Sequence, residues 1–173
     1  ANSNCVQCHM PKNGSIDIPH VAVTDHFIRK KPTAKVDDNV SQFIGMICYN
    51  NANVDPRTQA RSYLEFFERY QPQRYLLDSA IHYLTKAGIG ENDSDPDMIR
   101  TYFLLENYTK ILEISRSTKA DEIKDAWTAY RIGESYTKVG KPKEAISFLL
   151  RSVTIKPLAL DFKLKLSTAQ LAA

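Results

Sequence analysis

The chain has 173 residues, of which 43% are hydrophobic and 25% are charged, a balance that is ordinary for a protein with a buried core. Its 23 basic and 20 acidic side chains leave a net charge of +3. This charge is spread along the chain, so it indicates neither a nucleic acid nor an anionic membrane as partner. No apolar run approaches the ~20 residues that a membrane-spanning helix needs, and none is predicted.

The first informative segment is Cys5-Val6-Gln7-Cys8-His9, in which two thiols three positions apart are followed at once by an imidazole. This spacing is that of covalent c-type haem attachment. Each cysteine sulfur adds to one porphyrin vinyl group, and the adjoining histidine then lies under the ring, where it ligates the iron. We therefore predict at least one haem c, attached covalently through Cys5 and Cys8, with His9 as the proximal iron ligand.

Downstream, the chain continues with Met10-Pro11, then His20, then Thr24-Asp25-His26-Phe27-Ile28. The combination CxxCHMP followed by a histidine and TDHxI resembles the multihaem cytochromes c related to pentahaem nitrite reductase and hydroxylamine oxidoreductase, most closely those with appended tetratricopeptide repeats. The resemblance covers residues 5–31 with specific motifs. It implies that His26 and His20 are distal iron ligands, of which the one in the TDH segment often serves a neighbouring haem. A second haem of that kind would need its own CxxCH motif upstream of residue 1 or on another chain.

Other ligand sets remain open. A structural zinc site would use the same two cysteines with His20 or His26, because zinc also favours a C-x-x-C spacing. A thioredoxin-like dithiol is disfavoured, since nothing in the sequence indicates a βαβ unit. Met46 and Met98 are candidates for a methionine ligand, but no motif positions them and we expect both to pack in the core. His82 is expected on a helix surface.

Residues 1–54 are interrupted by proline and glycine and show no sustained helical period, which predicts loops with a short strand or two. Within this segment, Val40–Tyr49 is an apolar run that fits either a buried strand or a buried helix, and periodicity does not decide between them. Cys48 is the cysteine that the haem motif does not use. We expect it to be a buried, small hydrophobic residue; a partner outside this sequence is the less favoured alternative.

From Asp55 onward, proline follows a polar or turn residue at five places, and each pair predicts a helix start. The reason is that proline at the first helical position loses no hydrogen bond and presets φ. The five pairs are Asp55-Pro56, Gln71-Pro72, Asp95-Pro96, Lys141-Pro142 and Lys156-Pro157. Thr118 with Asp121 predicts a further start, for the helix that carries Trp127. The predicted fold class is therefore all-α.

Some of these helices repeat with a period of about 34 residues, and they resemble the tetratricopeptide repeat family. Residues 126–159 supply the pattern of large, small, aromatic, turn and proline positions through Ile132, Gly133, Tyr136, Gly140, Ala145, Leu149 and Pro157. Gly133 and Ala145 are the small residues that would let two antiparallel helices approach closely. Residues 61–94 form a degenerate copy, in which Glu68 replaces the small residue and Gln71 the aromatic one.

Residues 97–118 are predicted to be helical without matching this pattern, and residue 160 begins a further unit through Phe162, Leu164 and Leu166. A generic array of helical hairpins is the alternative to tetratricopeptide repeats. It would bury the same kind of continuous seam.

The predicted organisation is a haem-bearing segment over residues 1–54, the C-terminal part of a cytochrome c domain, followed by a tetratricopeptide-like solenoid over residues 55–173. We expect the sequence to be a fragment of a longer chain. Because haem is attached to CxxCH outside the cytoplasm, we also expect a periplasmic or extracellular protein whose export signal is not part of this sequence.

Three classes of function fit these features, and the first is favoured. It is electron transfer through a haem with two histidine ligands, with the repeats docking a redox partner protein or neighbouring haem subunits. The second is a fragment of a multihaem oxidoreductase for nitrogen or sulfur compounds, whose active-site haem would lie upstream; no catalytic residue is assigned in this sequence. The third is a repeat scaffold for protein interaction with a structural haem, assembled in an oligomer or a larger complex.

Overall fold

The computed structural model describes residues 12–14, 22–24, 43–51 and 53–173. The chain divides into two compact units, residues 1–44 and 45–173. In the first unit, two three-residue strands, β1 (Lys12–Gly14) and β2 (Ala22–Thr24), pair in antiparallel orientation. Their register places Lys12 opposite Thr24 and Gly14 opposite Ala22.

The described part of the second unit is helical. Its seven α-helices are α1 (Pro56–Arg69), α2 (Arg74–Lys86), α3 (Pro96–Leu104), α4 (Tyr108–Ile114), α5 (Ala126–Lys138), α6 (Pro142–Ile155) and α7 (Leu160–Ala172), and a single 3-10 turn, Ala120–Glu122, lies between α4 and α5. The predicted helical class is confirmed at this level. None of these helices combines the length and the apolar character that crossing a bilayer requires.

Three of the five helix starts predicted from proline are confirmed, because α1, α3 and α6 begin at Pro56, Pro96 and Pro142. At the first two, the preceding aspartate caps the helix. The Asp55 carboxylate accepts from the backbone N–H of Thr58 at 3.0 Å, and the Asp95 carboxylate accepts from that of Asp97 at 2.9 Å.

The other two predicted starts are wrong by two or three residues, because Pro72 and Pro157 lie in turns that precede the helices. The backbone N–H of Gln73 donates to the carbonyl of Gln71, and α2 begins at Arg74. In the same way, the N–H of Ala159 donates to the carbonyl of Lys156 before α7 begins at Leu160. Each proline therefore fixes a turn rather than the first residue of the helix.

The predicted cap for the helix that carries Trp127 is also wrong. Asp121 lies in the 3-10 turn, and the residue that caps α5 is Asp125. Its carboxylate accepts hydrogen bonds from the backbone N–H and the hydroxyl of Thr128, both at 2.7 Å. Two short bonds to one carboxylate place the cap of α5 at Asp125, seven residues after Thr118.

The apolar run of Val40–Tyr49 is not a buried element over its described residues, 43–49. Residues 43–48 are neither helix nor strand, and the side chains of Ile44 and Ile47 are each 87% exposed. Cys48 is exposed as well, so its predicted burial is wrong. Hydrogen bonds to α1 hold this segment instead: the backbone N–H of Met46 donates to the Tyr63 hydroxyl, and its carbonyl accepts from the Gln59 side chain. The backbone of Met46 is therefore anchored to α1, while the side chains of Ile44, Ile47 and Cys48 stay exposed.

A hydrophobic core extends through α1 to α6. Its fully buried members include Leu84, Met98, Ile99, Ile111 and Ile132, so the expected core position of Met98 is confirmed. Each buried side chain of this size contributes roughly 1.5–3 kcal/mol relative to an exposed one. Met46 is only half-buried, and His82 is exposed as expected.

A second cluster joins α5, α6 and α7 through Ala145, Leu149 and Ala169. Of the three residues that mark the last predicted unit, Phe162 is fully buried and Leu166 is half-buried, whereas Leu164 is exposed. Helix α7 therefore packs through one side of its surface.

Helices α5 and α6 are in close contact at Gly133. A Cβ atom added to this glycine would lie 2.7 Å from Cγ and 3.1 Å from the backbone nitrogen of Leu149. Gly140 ends α5 with φ +77°, a backbone conformation that residues with a Cβ rarely adopt, and it allows the turn into α6. Helix α6 is thus held against α5 with no space for a larger side chain at position 133.

Candidate functional site

The residues predicted to hold haem, Cys5, Cys8, His9, His20 and His26, lie outside the described residues. The haem site and its ligands therefore stay a prediction from the sequence. Over residues 43–51 and 53–173, no three His, Cys, Asp or Glu side chains lie together as a metal ion would require.

The described residues contain a cleft of about 690 Å³ formed by α1, α3 and α5, the first helix of each successive helical pair. Charged side chains from all three helices line it, together with the single tryptophan of the chain, Trp127. The lining has four arginines and three carboxylates.

Asp97, at the start of α3, binds two arginines of α1. One of its oxygens accepts from Nε of Arg57 at 2.7 Å and from Nε of Arg61 at 2.9 Å, and the side chain is only 9% exposed. Arg57 also donates to Asp95 at 2.9 Å. The hydrogen bond to Asp97 raises the pKa of Arg57 despite the opposing effect of burial. These contacts connect α1 to the first turn of α3.

Glu68 and Arg100 form a second connection between the same two helices. The two oxygens of Glu68 accept from Nε and from one terminal nitrogen of Arg100, which is the bidentate geometry of strong guanidinium–carboxylate pairs. The hydrogen bond to Glu68 raises the pKa of Arg100. In the alignment of the two predicted repeat copies, Glu68 departs from the repeat pattern. The structure shows that this glutamate is the partner of Arg100.

Arg131, on α5, differs from the other three arginines. Its guanidinium carbon lies 5.6 Å from the centre of the Trp127 ring, and none of the other described residues accepts a hydrogen bond from its side chain. Burial lowers the pKa of Arg131, and the like charge of Arg100 lowers it further. The Asp125 carboxylate, the nearby acid on the same element, already accepts two bonds from Thr128. The cleft therefore contains one cation without a hydrogen-bonded acid among the described residues.

Trp127 forms an apolar wall of this cleft and remains 43% exposed. The rings of Tyr130 and Phe162 contact Trp127 edge to face, with centroids 5.7 and 4.9 Å away. Such pairs prefer this geometry and fix the orientation of the rings. The indole is thus held in place while part of its surface stays accessible from the cleft.

A separate ion pair, in which the carboxylate is buried and the lysine is partly exposed, joins α5 to α7. Glu134 is 5% exposed, and one of its oxygens accepts from Nζ of Lys165 at 2.7 Å. The other oxygen is buried and has no partner among the described residues. The bond to Glu134 raises the pKa of Lys165, and burial first, then the charge of Glu134, raises that of Tyr130.

The arginine-lined cleft is the part of the site that the sequence did not predict. The only local signal is the i, i+4 spacing of Arg57 and Arg61, which places both on one face of α1. Their acidic partners lie 36 to 40 residues away. The sequence matches no protein-family model, and no curated protein is significantly similar to it.

Proposed function

We propose that this chain is part of an exported c-type cytochrome that transfers electrons through a covalently bound haem, with a helical repeat unit that docks a partner protein. The observation that carries the proposal is the segment Cys5-Val6-Gln7-Cys8-His9. Both thiols and the imidazole are needed for covalent attachment and iron ligation, and they stand here in the required order and spacing.

In this proposal, His9 is the proximal iron ligand, and His20 or His26 is a distal ligand of this haem or of a neighbouring one. When bound, the haem supplies a one-electron carrier whose reduction potential depends on its axial ligands and burial. Two histidine ligands would leave no open position for a substrate. A role in electron transfer rather than in catalysis by this segment is therefore favoured.

The proposed docking role belongs to the tetratricopeptide-like unit. It is supported by the close approach of α5 and α6 at Gly133 and by the left-handed Gly140 in the turn between them, two positions at which the repeat pattern requires small or turn residues. It is also supported by the cleft on the first helices of successive pairs. Arrays of helical pairs commonly present extended binding surfaces of this kind.

The test is to produce the full-length parent protein with its export and haem-attachment machinery, and to measure a pyridine haemochrome spectrum and the intact mass. We expect covalent haem at the Cys5–His9 motif, and its loss at this motif in the variant with Cys5→Ser and Cys8→Ser. A low-spin spectrum that does not change when cyanide is added would agree with two histidine ligands. Cysteines that are free or that hold zinc in the mature protein would refute the cytochrome assignment.

The distal ligand is identified by comparing His20→Ala with His26→Ala. Replacement of the ligand opens a coordination position, so the haem it serves becomes high-spin and binds cyanide. His82→Ala is the matched control, since His82 is exposed on α2 and is expected to leave the spectrum unchanged.

A further inference from the structure

We infer that Arg131 binds an oxyanion in the cleft formed by α1, α3 and α5, and that this oxyanion is a carboxylate or a phosphate group. The inference deepens the docking role proposed for the helical unit and rests on that role, but no part of it depends on haem. It assigns a ligand chemistry to one residue of the cleft.

The first argument is the pairing of charges in the cleft. Arg57 and Arg61 bind Asp97, and Arg100 binds Glu68, so these three guanidinium groups have carboxylate partners. Arg131 has no such partner among the described residues, although its side chain is partly withdrawn from water. An arginine remains ionised at every physiological pH, and withdrawing its N–H donors from water without acceptors is unfavourable. The charges of Glu68, Asp125 and Asp97 act on Arg131 without a hydrogen bond, and a bound oxyanion would supply the missing acceptor.

The second argument is the proximity of Arg100. Its positive charge is close enough to lower the pKa of Arg131. Glu68 occupies Nε and one terminal nitrogen of Arg100, and no described residue accepts a hydrogen bond from the other terminal nitrogen. An anion near Arg131 would therefore reduce the repulsion between two cations and also have a second donor within the same cleft.

The third argument concerns the charge and size of the ligand. Four arginines and three carboxylates line the cleft, and Asp95, which binds Arg57, balances the fourth guanidinium, so the group as a whole has no net charge. A ligand group with one or two negative charges can bind the one guanidinium that lacks a hydrogen-bonded acid, whereas the carboxylates would repel a polyanion such as a nucleic acid. The fork of a guanidinium matches two oxygens of a carboxylate or phosphate. The cleft, at about 690 Å³, is much larger than a single such group, so the group is expected to be carried by a larger molecule that also contacts Trp127.

The test is calorimetric titration of the full chain with three probes at constant ionic strength in chloride: inorganic phosphate, acetate, and a blocked tripeptide with one aspartate. We expect saturable binding of at least one probe at one site per chain. Tighter binding of the peptide than of acetate would assign the site to a group on a polypeptide, and tightest binding of phosphate to a phosphate-bearing ligand. The emission of Trp127 should change with the same saturation curve, since it is the single tryptophan and lines the cleft.

Arg131→Gln should weaken this binding by at least about tenfold, the effect expected from losing one charge-assisted contact of about 1.4 kcal/mol. Arg116→Gln removes the same charge from an exposed position outside the cleft lining, and it should change the affinity by less than about twofold. Arg131→Lys keeps the charge but not the fork, and should weaken binding to an intermediate degree.

Circular dichroism should show an unchanged helical content in the Arg131 variants, because no described residue depends on a hydrogen bond from this side chain. Absence of saturable binding of all three probes to the wild-type chain would overturn the inference. Equal weakening by Arg116→Gln and Arg131→Gln would overturn it as well, since the effect would then come from net charge. A mature protein that carries no haem but binds a probe would refute only the cytochrome proposal, and a haem protein that binds none of the probes would refute only this inference.

Discussion

The close packing of α5 against α6 gives a sharp prediction for Gly133→Ala. Alanine in a helix interior is intrinsically favoured over glycine by roughly 0.5–1 kcal/mol, so at an uncrowded position this substitution would stabilise the protein. At position 133, however, the new Cβ would lie 2.7 Å from Cγ and 2.9 Å from Cδ2 of Leu149. Carbon atoms in favourable contact are ~3.5–4.0 Å apart, so the two helices must separate or Leu149 must move.

The expected net effect follows from these two opposing contributions. Leu149 is fully buried, and its backbone nitrogen also lies 3.1 Å from the added atom, so a change of side-chain rotamer alone does not remove the crowding. Overpacking of this kind costs typically about 1–3 kcal/mol. After the gain in helix propensity is subtracted, Gly133→Ala should reduce the free energy of unfolding by about 1 kcal/mol.

A double-mutant cycle separates the two contributions. Leu149→Ala alone should cost about 2–5 kcal/mol, as expected for removal of a fully buried leucine. In that background Cγ and Cδ2 of residue 149 are gone and only the 3.1 Å approach to its backbone nitrogen remains, so Gly133→Ala should cost less than in the wild type and become close to neutral. The free energies are measured by urea unfolding followed by helical circular dichroism.

The control for the cycle is Gly140→Ala, in the same helical pair. Its φ of +77° disfavours any residue with a Cβ, while no heavy atom lies within 4 Å of the added carbon. This substitution should cost about 1–2 kcal/mol in both backgrounds, because its effect arises in the backbone. The packing argument is refuted if Gly133→Ala stabilises the wild-type protein, or if its effect is the same with and without Leu149.

Three further predictions concern other charged or reactive groups. Lys165→Met should lower the free energy of unfolding by roughly 1–3 kcal/mol in the same urea assay, because it leaves Glu134 buried without its cation. The control is Lys163→Met, at an exposed position of the same helix, which should leave the free energy of unfolding unchanged. Equal effects of the two substitutions would exclude a specific pair. Burial alone would raise the pKa of Asp125, but the hydrogen bonds that its carboxylate accepts from Thr128 outweigh burial and lower this pKa. The ionised carboxylate therefore contributes its full stabilisation above pH ~4, and this stabilisation is lost as the pH falls through the lower pKa of the folded state. Urea midpoints measured from pH 6 to pH 2 should therefore fall less steeply in Asp125→Asn, and an unchanged acid dependence would contradict this assignment. Finally, a thiol reagent applied to the native haem-loaded chain should modify one cysteine, the exposed Cys48. If Cys48 is protected from the reagent, the described geometry of residues 43–49 does not hold in solution.

The sequence predicts the presence of the helices more accurately than the residue at which each helix begins. The difference arises at the helix starts, where one residue type fits two local structures. Proline fits the first position of a helix and also the second position of a turn, so the residue itself does not distinguish the two. At Pro56 and Pro96 the preceding aspartate accepts a backbone hydrogen bond from inside the helix, and the prediction is correct. At Pro72 a backbone bond within the turn takes precedence, and the helix begins two residues later.

The start of α5 was missed although its signal was present. Thr118 and Asp121 resemble a capping pair, but Asp125 followed three residues later by Thr128 offers a carboxylate to both a backbone N–H and a hydroxyl. Aspartate is among the strongest capping residues, and Asp125 directly precedes the first residue of the helix.

The burial of residues 43–49 was predicted from composition alone, and composition is a poor guide there. An apolar run is buried only where another element covers it, and here the hydrogen bonds between α1 and the Met46 backbone leave Ile44 and Ile47 largely exposed. The exposure of Cys48 follows from the same geometry. The cleft was unpredictable for a related reason, because its ion pairs join residues of α1 and α3 that only the packing of the helices brings together.

One aligned position contrasts packing within a helical pair with contact between pairs. In the alignment of the two predicted repeat copies, Glu68 occupies the place of Gly133. At Gly133 the absence of a side chain permits contact between the two helices of one pair, whereas Glu68 extends to Arg100 on the first helix of the next pair. A residue that departs from the packing pattern therefore indicates that its helix contributes to a contact outside its own pair. Because Glu68 binds Arg100, the arginine of the cleft without a hydrogen-bonded carboxylate among the described residues is Arg131, and the proposed oxyanion is assigned to it.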